Sequence, residues 1–180
     1  MVTSSQTITL KDFLQRSNIE ASPAWEFIHG ESIQKNMPTI DHSILQKRLV
    51  AAIDATNSGY EAFPELRCVL QHNSVVPDIA IVRCDRLPPN NQPIEGAPDW
   101  LIEILSPDQS TTKLIEKIQI CLNEGTQLGW LMDSTEQVVI VLRPSQSLVF
   151  LRQEDMLPSL ENIPLALTVD RVFGWLQRKG

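Results

Sequence analysis

Three polar residues stand where the surrounding pattern calls for apolar ones: Asp78, Glu103 and Lys117. Side chains of an extended strand alternate, so in Val75-Val76-Pro77-Asp78-Ile79-Ala80-Ile81-Val82 the Asp78 carboxylate shares a face with Val76, Ala80 and Val82. Glu103 lies between Leu101 and Leu105 on its face of Trp100-Leu101-Ile102-Glu103-Ile104-Leu105, an otherwise continuous apolar run. A buried unpaired charge is costly, so each acid needs a cation, a metal, a donor cluster or a water-filled cleft beside it. Lys117, three residues after Leu114 and four before Cys121, falls at the margin of a helical apolar face directed at the sheet. Lys113 is one turn earlier and farther round, a solvent-facing or phosphate-touching position. Two oxygen ligands can hold Mg²⁺ or Mn²⁺ and leave room for water and a phosphate, while a lysine orients that water or offsets phosphoryl charge. That chemistry is phosphodiester hydrolysis. The alternative is structural: Asp78 opening a turn after Pro77, Glu103 in an internal ion pair, and Lys117 an ordinary helical lysine.

The elements that must position these residues follow from periodicity. Thr9 and Asp12 ahead of Phe13 and Leu14 form a capping box for a short helix over residues 10–17. Trp25-Glu26-Phe27-Ile28 and Glu31-Ser32-Ile33 flank His29-Gly30 as a hairpin, ended by Pro38. Ile44, Leu45, Leu49, Ala52 and Ile53 recur at helical spacing within 41–57. Strand-like runs follow at 66–70, 75–82 and 100–105, the last two separated by a proline-rich loop over 87–98. A helix is predicted over 111–124, stopped by Gly125, then strands at 128–132, 137–142 and 148–151 and a closing helix at 169–177. This order predicts an α/β fold with a central mixed sheet flanked by helices, an N-terminal hairpin and extra C-terminal antiparallel strands.

At 180 residues the chain suits one domain, with 1–22 as an N-terminal accessory segment and 153–180 as a C-terminal tail and helix. No apolar run is long enough to cross a bilayer, and the charged N-terminus lacks the apolar segment of a secretory signal, so a cytoplasmic location is expected. Cys68, Cys84 and Cys121 are odd in number and widely spaced, which argues against both a disulfide framework and a zinc site. A net charge of −7 weighs against a broad basic surface for nucleic acid, so any grip must be local. Lys47-Arg48 and Arg83 with Arg86 read as solvated faces.

The segments Val76-Pro77-Asp78-Ile79-Ala80-Ile81-Val82, Ala97-Pro98-Asp99-Trp100-Leu101-Ile102-Glu103-Ile104-Leu105-Ser106-Pro107, and Lys117 through Gly125 to Trp130-Leu131-Met132-Asp133 resemble the Uma family. That is a bacterial group of restriction-endonuclease-like proteins in the PD-(D/E)XK superfamily. The likeness extends upstream through Trp25 to Glu31 and Pro38 to His42, so it covers the chain from about Pro23 to Leu142. The resemblance implies a nuclease core in which Asp78 and Glu103 bind a divalent metal, with the carbonyl of Ile104 as a further ligand. Leu105 occupies the place of the usual superfamily lysine, so the resemblance implies that Lys117, on the following helix, serves instead. Glu26 matches a family glutamate that either approaches the metal cleft or lies on a strand surface. His42 either joins the cleft or is satisfied by backbone or water at a helix start. Asp99 and Asp133 border turns and suit local backbone bonding, and Ser106-Pro107-Asp108 reads first as a loop and helix entry.

The leading expectation is a Mg²⁺- or Mn²⁺-dependent endonuclease acting on nucleic acid, specifically DNA. The competing one is a non-catalytic binding or assembly module on the same fold, which would suit the acidic surface. A carboxylate-pair glycosidase is a third class, and it would not need Lys117. An apolar hairpin within 137–151 offers a homodimer contact, and two sites in one assembly would suit duplex cleavage.

Overall fold

The computed structural model describes residues 8–177; the first seven residues of the expected accessory segment and the last three of the expected tail lie outside the described residues. α1 (Leu10–Leu14) begins at the capping box, where Thr9 and Asp12 each bond the other's backbone amide. β1 (Trp25–Ile28) and β2 (Glu31–Gln34) form the hairpin. Its two-residue loop, His29 and Gly30 at φ 52° and 83°, has the left-handed geometry that matches strand twist. α2 (Ile40–Asp54) is capped by the Thr39 hydroxyl, which accepts from the His42 amide. Then come β3 (Tyr60–Pro64), β4 (Cys68–Val69), β5 (Ser74–Val75), β6 (Ile79–Arg83), β7 (Ile94–Glu95), β8 (Trp100–Ile104) and α3 (Thr111–Asn123). β9 (Leu128–Asp133), β10 (Val138–Leu142), β11 (Val149–Arg152) and α4 (Val169–Gly174) complete the described chain.

The strands form a six-stranded sheet in the order β11-β10-β9-β8-β6-β3 and a five-stranded one in the order β2-β1-β5-β4-β7. In the larger sheet β8 and β9 run parallel and the other neighbours antiparallel. The expected order of helix, three strands, helix and strand is therefore met by α2, β3, β6, β8, α3 and β9. Alternation divides the larger sheet into two packed faces. Ile79, Ile81, Trp100, Ile102, Ile104, Trp130 and Met132 face Leu45, Leu49 and Ile53 of α2 together with Leu157, Leu160, Val172 and Phe173 near the C-terminus. Ala80, Val82, Leu101 and Leu131 face Leu114, Ile118 and Cys121 of α3, along with Cys68, Val75 and Ile94 of the smaller sheet. Residues 153–177 are thus more than a tail, because they close one face of the core.

The strand assignments need two corrections. The run 75–82 is not one strand: β5 and β6 belong to different sheets, and Val76-Pro77-Asp78 is the crossing between them. Pro77 has no amide to give a ladder and biases the preceding residue toward extended backbone, so the break falls where the sequence contains it. The run 66–70 yields only β4, in the smaller sheet, while the first strand of the larger sheet is β3, which hydropathy does not mark. β3 is an edge strand with only Ala62 buried, and Pro64 ends it, as suits an edge. The three cysteines are free, with Cys68 and Cys121 buried. Among the described residues no helix is long and apolar enough to cross a membrane.

Candidate active site

Asp78 and Glu103 are brought together by strand register. β6 and β8 pair antiparallel with Ile79 opposite Ile102 and Ala80 opposite Leu101. Carried one step further, that register sets Asp78 against Glu103, and residues directly opposite in such a pair project from the same face. That face is the one packed by α3, and it keeps the expected company of Ala80 and Val82 for Asp78, though not of Val76. Both acids are buried, at 3% and 1% exposure. The Asp78 carboxylate also takes over where the ladder stops, since its Oδ2 accepts the Ile104 amide at 2.7 Å.

Lys117 lies deeper than its sequence position suggests: it is buried at 3% exposure instead of riding the margin of α3. Its Nζ is 2.7 Å from Glu103 Oε1 and 2.6 Å from Glu26 Oε1, and it donates to the Val76 carbonyl at 3.2 Å. Glu26 is accordingly a buried member of the cluster and not a surface strand residue; its Oε1 also accepts the Val76 amide at 2.6 Å. His42 is buried as well. Its Nδ1 lies 3.1 Å from Ser106 Oγ and its Nε2 3.6 Å from Asp78 Oδ1, with no hydrogen-bond partner at Nε2. Lys113 is exposed and lines a cleft with Glu26, Glu103 and Lys117. Asp99 and Asp133 stay outside the cluster. Asp99 holds the Arg83 amide and the Arg86 guanidinium, and Asp133 accepts two turn amides.

Sequence reasoning missed Lys35. Its Nζ is 2.8 Å from Asp78 Oδ1 and 2.9 Å from Glu65 Oε2, and it donates to the Val76 carbonyl at 2.7 Å. The hairpin held the signal. The Lys35 amide bonds the Ala24 carbonyl, which continues the β1–β2 ladder past Gln34. The period of two then puts Lys35 on the face of Ile33 and of Glu26, which is the cross-strand partner of Ile33. Glu65, at φ 52°, and Gln46, which donates to the Asp78 carbonyl oxygen at 2.8 Å, complete this side.

The two facing acids are tuned apart. Burial favours the neutral form of Asp78, but the positive charges beside it, that of Lys35 foremost and then that of Lys117, outweigh it and hold the carboxyl below the usual carboxylate range. For Glu103 burial wins. Even with Lys117 in contact, desolvation and the Asp78 charge push its carboxyl up to about 8. Burial also opposes charge on both lysines, yet the surrounding carboxylates raise their proton affinity above the ordinary lysine value. Lys117 is therefore held as an ammonium.

These donors suit a hard divalent cation. Two facing carboxylates, Asp78 just ahead of β6 and Glu103 on β8, offer oxygen ligands. The N–H and C=O of one strand residue leave on the same edge, so the Ile104 carbonyl points toward the Asp78 side, where its amide already goes.

The comparisons with known proteins agree with this architecture. A family model named Uma2 and described as "putative restriction endonuclease" matches residues 10–171. The crystal structure of a "putative nuclease belonging to DUF820" from Anabaena variabilis is 40% identical in sequence, with a TM-score of 0.88 over 94% of this chain and 99% of that one. A search of curated proteins found no match. By its sequence from α1 to α4 and by its mixed sheet flanked by helices, the chain belongs to the Uma2 family and carries a restriction-endonuclease-like fold.

Proposed function

We propose that this chain is an endonuclease that hydrolyses phosphodiester bonds of nucleic acid, DNA in particular, with a divalent cation, Mg²⁺ or Mn²⁺. The observation that carries the reading is the convergence of Asp78, Glu103 and Lys117, three buried ionisable side chains from the residue just ahead of β6, from β8 and from the following helix. Membership of a family described as restriction endonucleases, and likeness to a chain described as a nuclease, support the same class.

Asp78, Glu103 and the Ile104 carbonyl would hold the ion. Such an ion, when bound, lowers the pKa of a water and offsets charge on the phosphoryl oxygens. Lys117 keeps its proton at Nζ, so it orients the attacking water or donates to a phosphate oxygen and does not act as the base. Glu26 fixes where that ammonium sits by holding it 2.6 Å away while its own carboxylate is anchored on the Val76 amide. With a net charge of −7, the chain must attract a polyanion locally, and exposed Lys113 on the cleft wall is positioned for a flanking phosphate.

The test is calorimetric titration of Mn²⁺ into wild-type protein and Glu103→Gln, with plasmid cleavage assayed on the same samples. Binding and cleavage in the wild type that both disappear in the variant are expected. A wild-type protein that binds no Mn²⁺ and cleaves nothing would overturn the reading in favour of a binding module.

A further inference from the structure

One atom of each of His42, Glu65 and Asp78 lies within 4.8 Å of the others. The grouping points to a ligand because His42 Nε2 is buried, has no hydrogen-bond partner and lies 3.6 Å from Asp78 Oδ1. When Nδ1 donates to Ser106 Oγ, Nε2 carries the imidazole lone pair, the form in which histidine binds a metal. Glu65, by contrast, is 43% exposed and so leaves the cluster open on one side.

The cluster already holds a cation. The Lys35 ammonium contacts Asp78 Oδ1, Glu65 Oε2 and the Val76 carbonyl oxygen at 2.8, 2.9 and 2.7 Å. Two carboxylates and a backbone carbonyl are the oxygen ligands that a hard divalent ion takes. Lys35 lies between two clefts, since it lines that of Asp78 and His42 and also that of Glu103 and Lys117. We infer that His42, Glu65 and Asp78 form a second cation site, filled in this chain by the tethered ammonium of Lys35 in place of a divalent ion. The inference deepens the nuclease reading and rests on it only through Asp78, which both sites share. In a two-metal site a second ion offsets charge on the far side of the reacting phosphate. Here a lysine supplies that charge permanently, and the chain takes up one ion.

The experiment is Mn²⁺ titration, by calorimetry and by pulsed electron paramagnetic resonance, of wild type, Lys35→Met, Lys35→Gln and Lys35→Met combined with His42→Phe. Wild type should bind one Mn²⁺ per chain without coupling to a histidine nitrogen. Both single variants should bind two, with nitrogen coupling that disappears when His42 is also replaced. Unchanged stoichiometry in the Lys35 variants, or histidine coupling in the wild type, would overturn the inference. A single variant that needs Mn²⁺ to fold supports it, whereas a variant that Mn²⁺ cannot restore, read by circular dichroism and thermal melting, counts against it. The two readings fail separately. One Mn²⁺ in every protein overturns the second site and leaves the nuclease; none in wild type, with one histidine-coupled Mn²⁺ in the Lys35 variants, does the reverse.

Discussion

Lys35 and Lys117 donate to the same acceptor, the carbonyl oxygen of Val76, over 2.7 and 3.2 Å. Val76 begins the crossing between the two sheets, so its carbonyl is free of a strand ladder and can gather two ammonium groups. Each lysine then meets a different acid of the facing pair, Lys35 at Asp78 and Lys117 at Glu103.

Asp78→Asn should therefore be costly even without metal. The amide oxygen can still accept the Ile104 amide, but Lys35 loses its buried counter-charge and keeps only half-exposed Glu65. Removing one partner of a buried ion pair costs about 3 kcal/mol or more. Urea unfolding of the metal-free proteins at neutral pH measures the loss. A difference within error of zero would mean that Glu65 alone suffices as the partner.

Glu26→Gln isolates the holder of Lys117. Glutamine keeps an oxygen for the Val76 amide, so the fold should persist, but the ammonium loses one of its two short carboxylate contacts. Lys117 then leans on Glu103 alone and competes harder with the metal for it. Mn²⁺ affinity should weaken on the order of tenfold, about 1.4 kcal/mol, by calorimetry. Equal or tighter binding would show that Glu26 does not govern the position of Lys117.

Much of this site was legible because burial makes a polar residue conspicuous. Asp78 and Glu103 interrupt apolar runs, so hydropathy marks both, while helical spacing puts Lys117 only at the margin of an apolar face and not in the buried position it holds. Glu26 and Lys35 were harder. They sit on a short hairpin or just past its end, where polar residues look like surface, yet Glu26 is buried and the Lys35 side chain is largely covered, while residues of the smaller sheet pack against a face of the larger one. Nothing in local periodicity announces that packing. β3 escaped notice for a related reason, since an edge strand with one buried residue has no alternation to read.

Gly129→Ala tests how closely α3 must approach the sheet. A Cβ at Gly129 would fall 2.3 Å from Ile118 Cγ2, inside any tolerable contact, and Ile118 follows Lys117 directly. Overpacking of this kind costs about 1–3 kcal/mol. Relief by moving α3 outward would also withdraw Lys117 from Glu103, so cleavage should fall together with the melting temperature. Lost stability with unchanged cleavage would mean that Ile118 changes rotamer and the helix stays in place.

The raised Glu103 carboxyl makes stability depend on pH in a definite direction. In the unfolded chain this group loses its proton near 4.5, and in the folded one near 8. Between those values the folded protein holds a proton that the unfolded chain has released, so raising the pH favours unfolding. Metal-free stability should decline across that window and level off above about 8. Asp78 acts on the other side: its depressed carboxyl contributes stability that is lost only as pH falls below the ordinary carboxylate range. Glu103→Gln cannot ionise, so the difference between its urea midpoints and those of wild type isolates the Glu103 contribution from other titrating groups. Mn²⁺ requires the ionised carboxylate, so its addition should oppose the decline in wild type and do little in the variant. A wild-type profile in EDTA that runs parallel to that of Glu103→Gln from pH 5 to 9 would mean that Lys117 keeps Glu103 ionised throughout, and that metal binding there releases no proton.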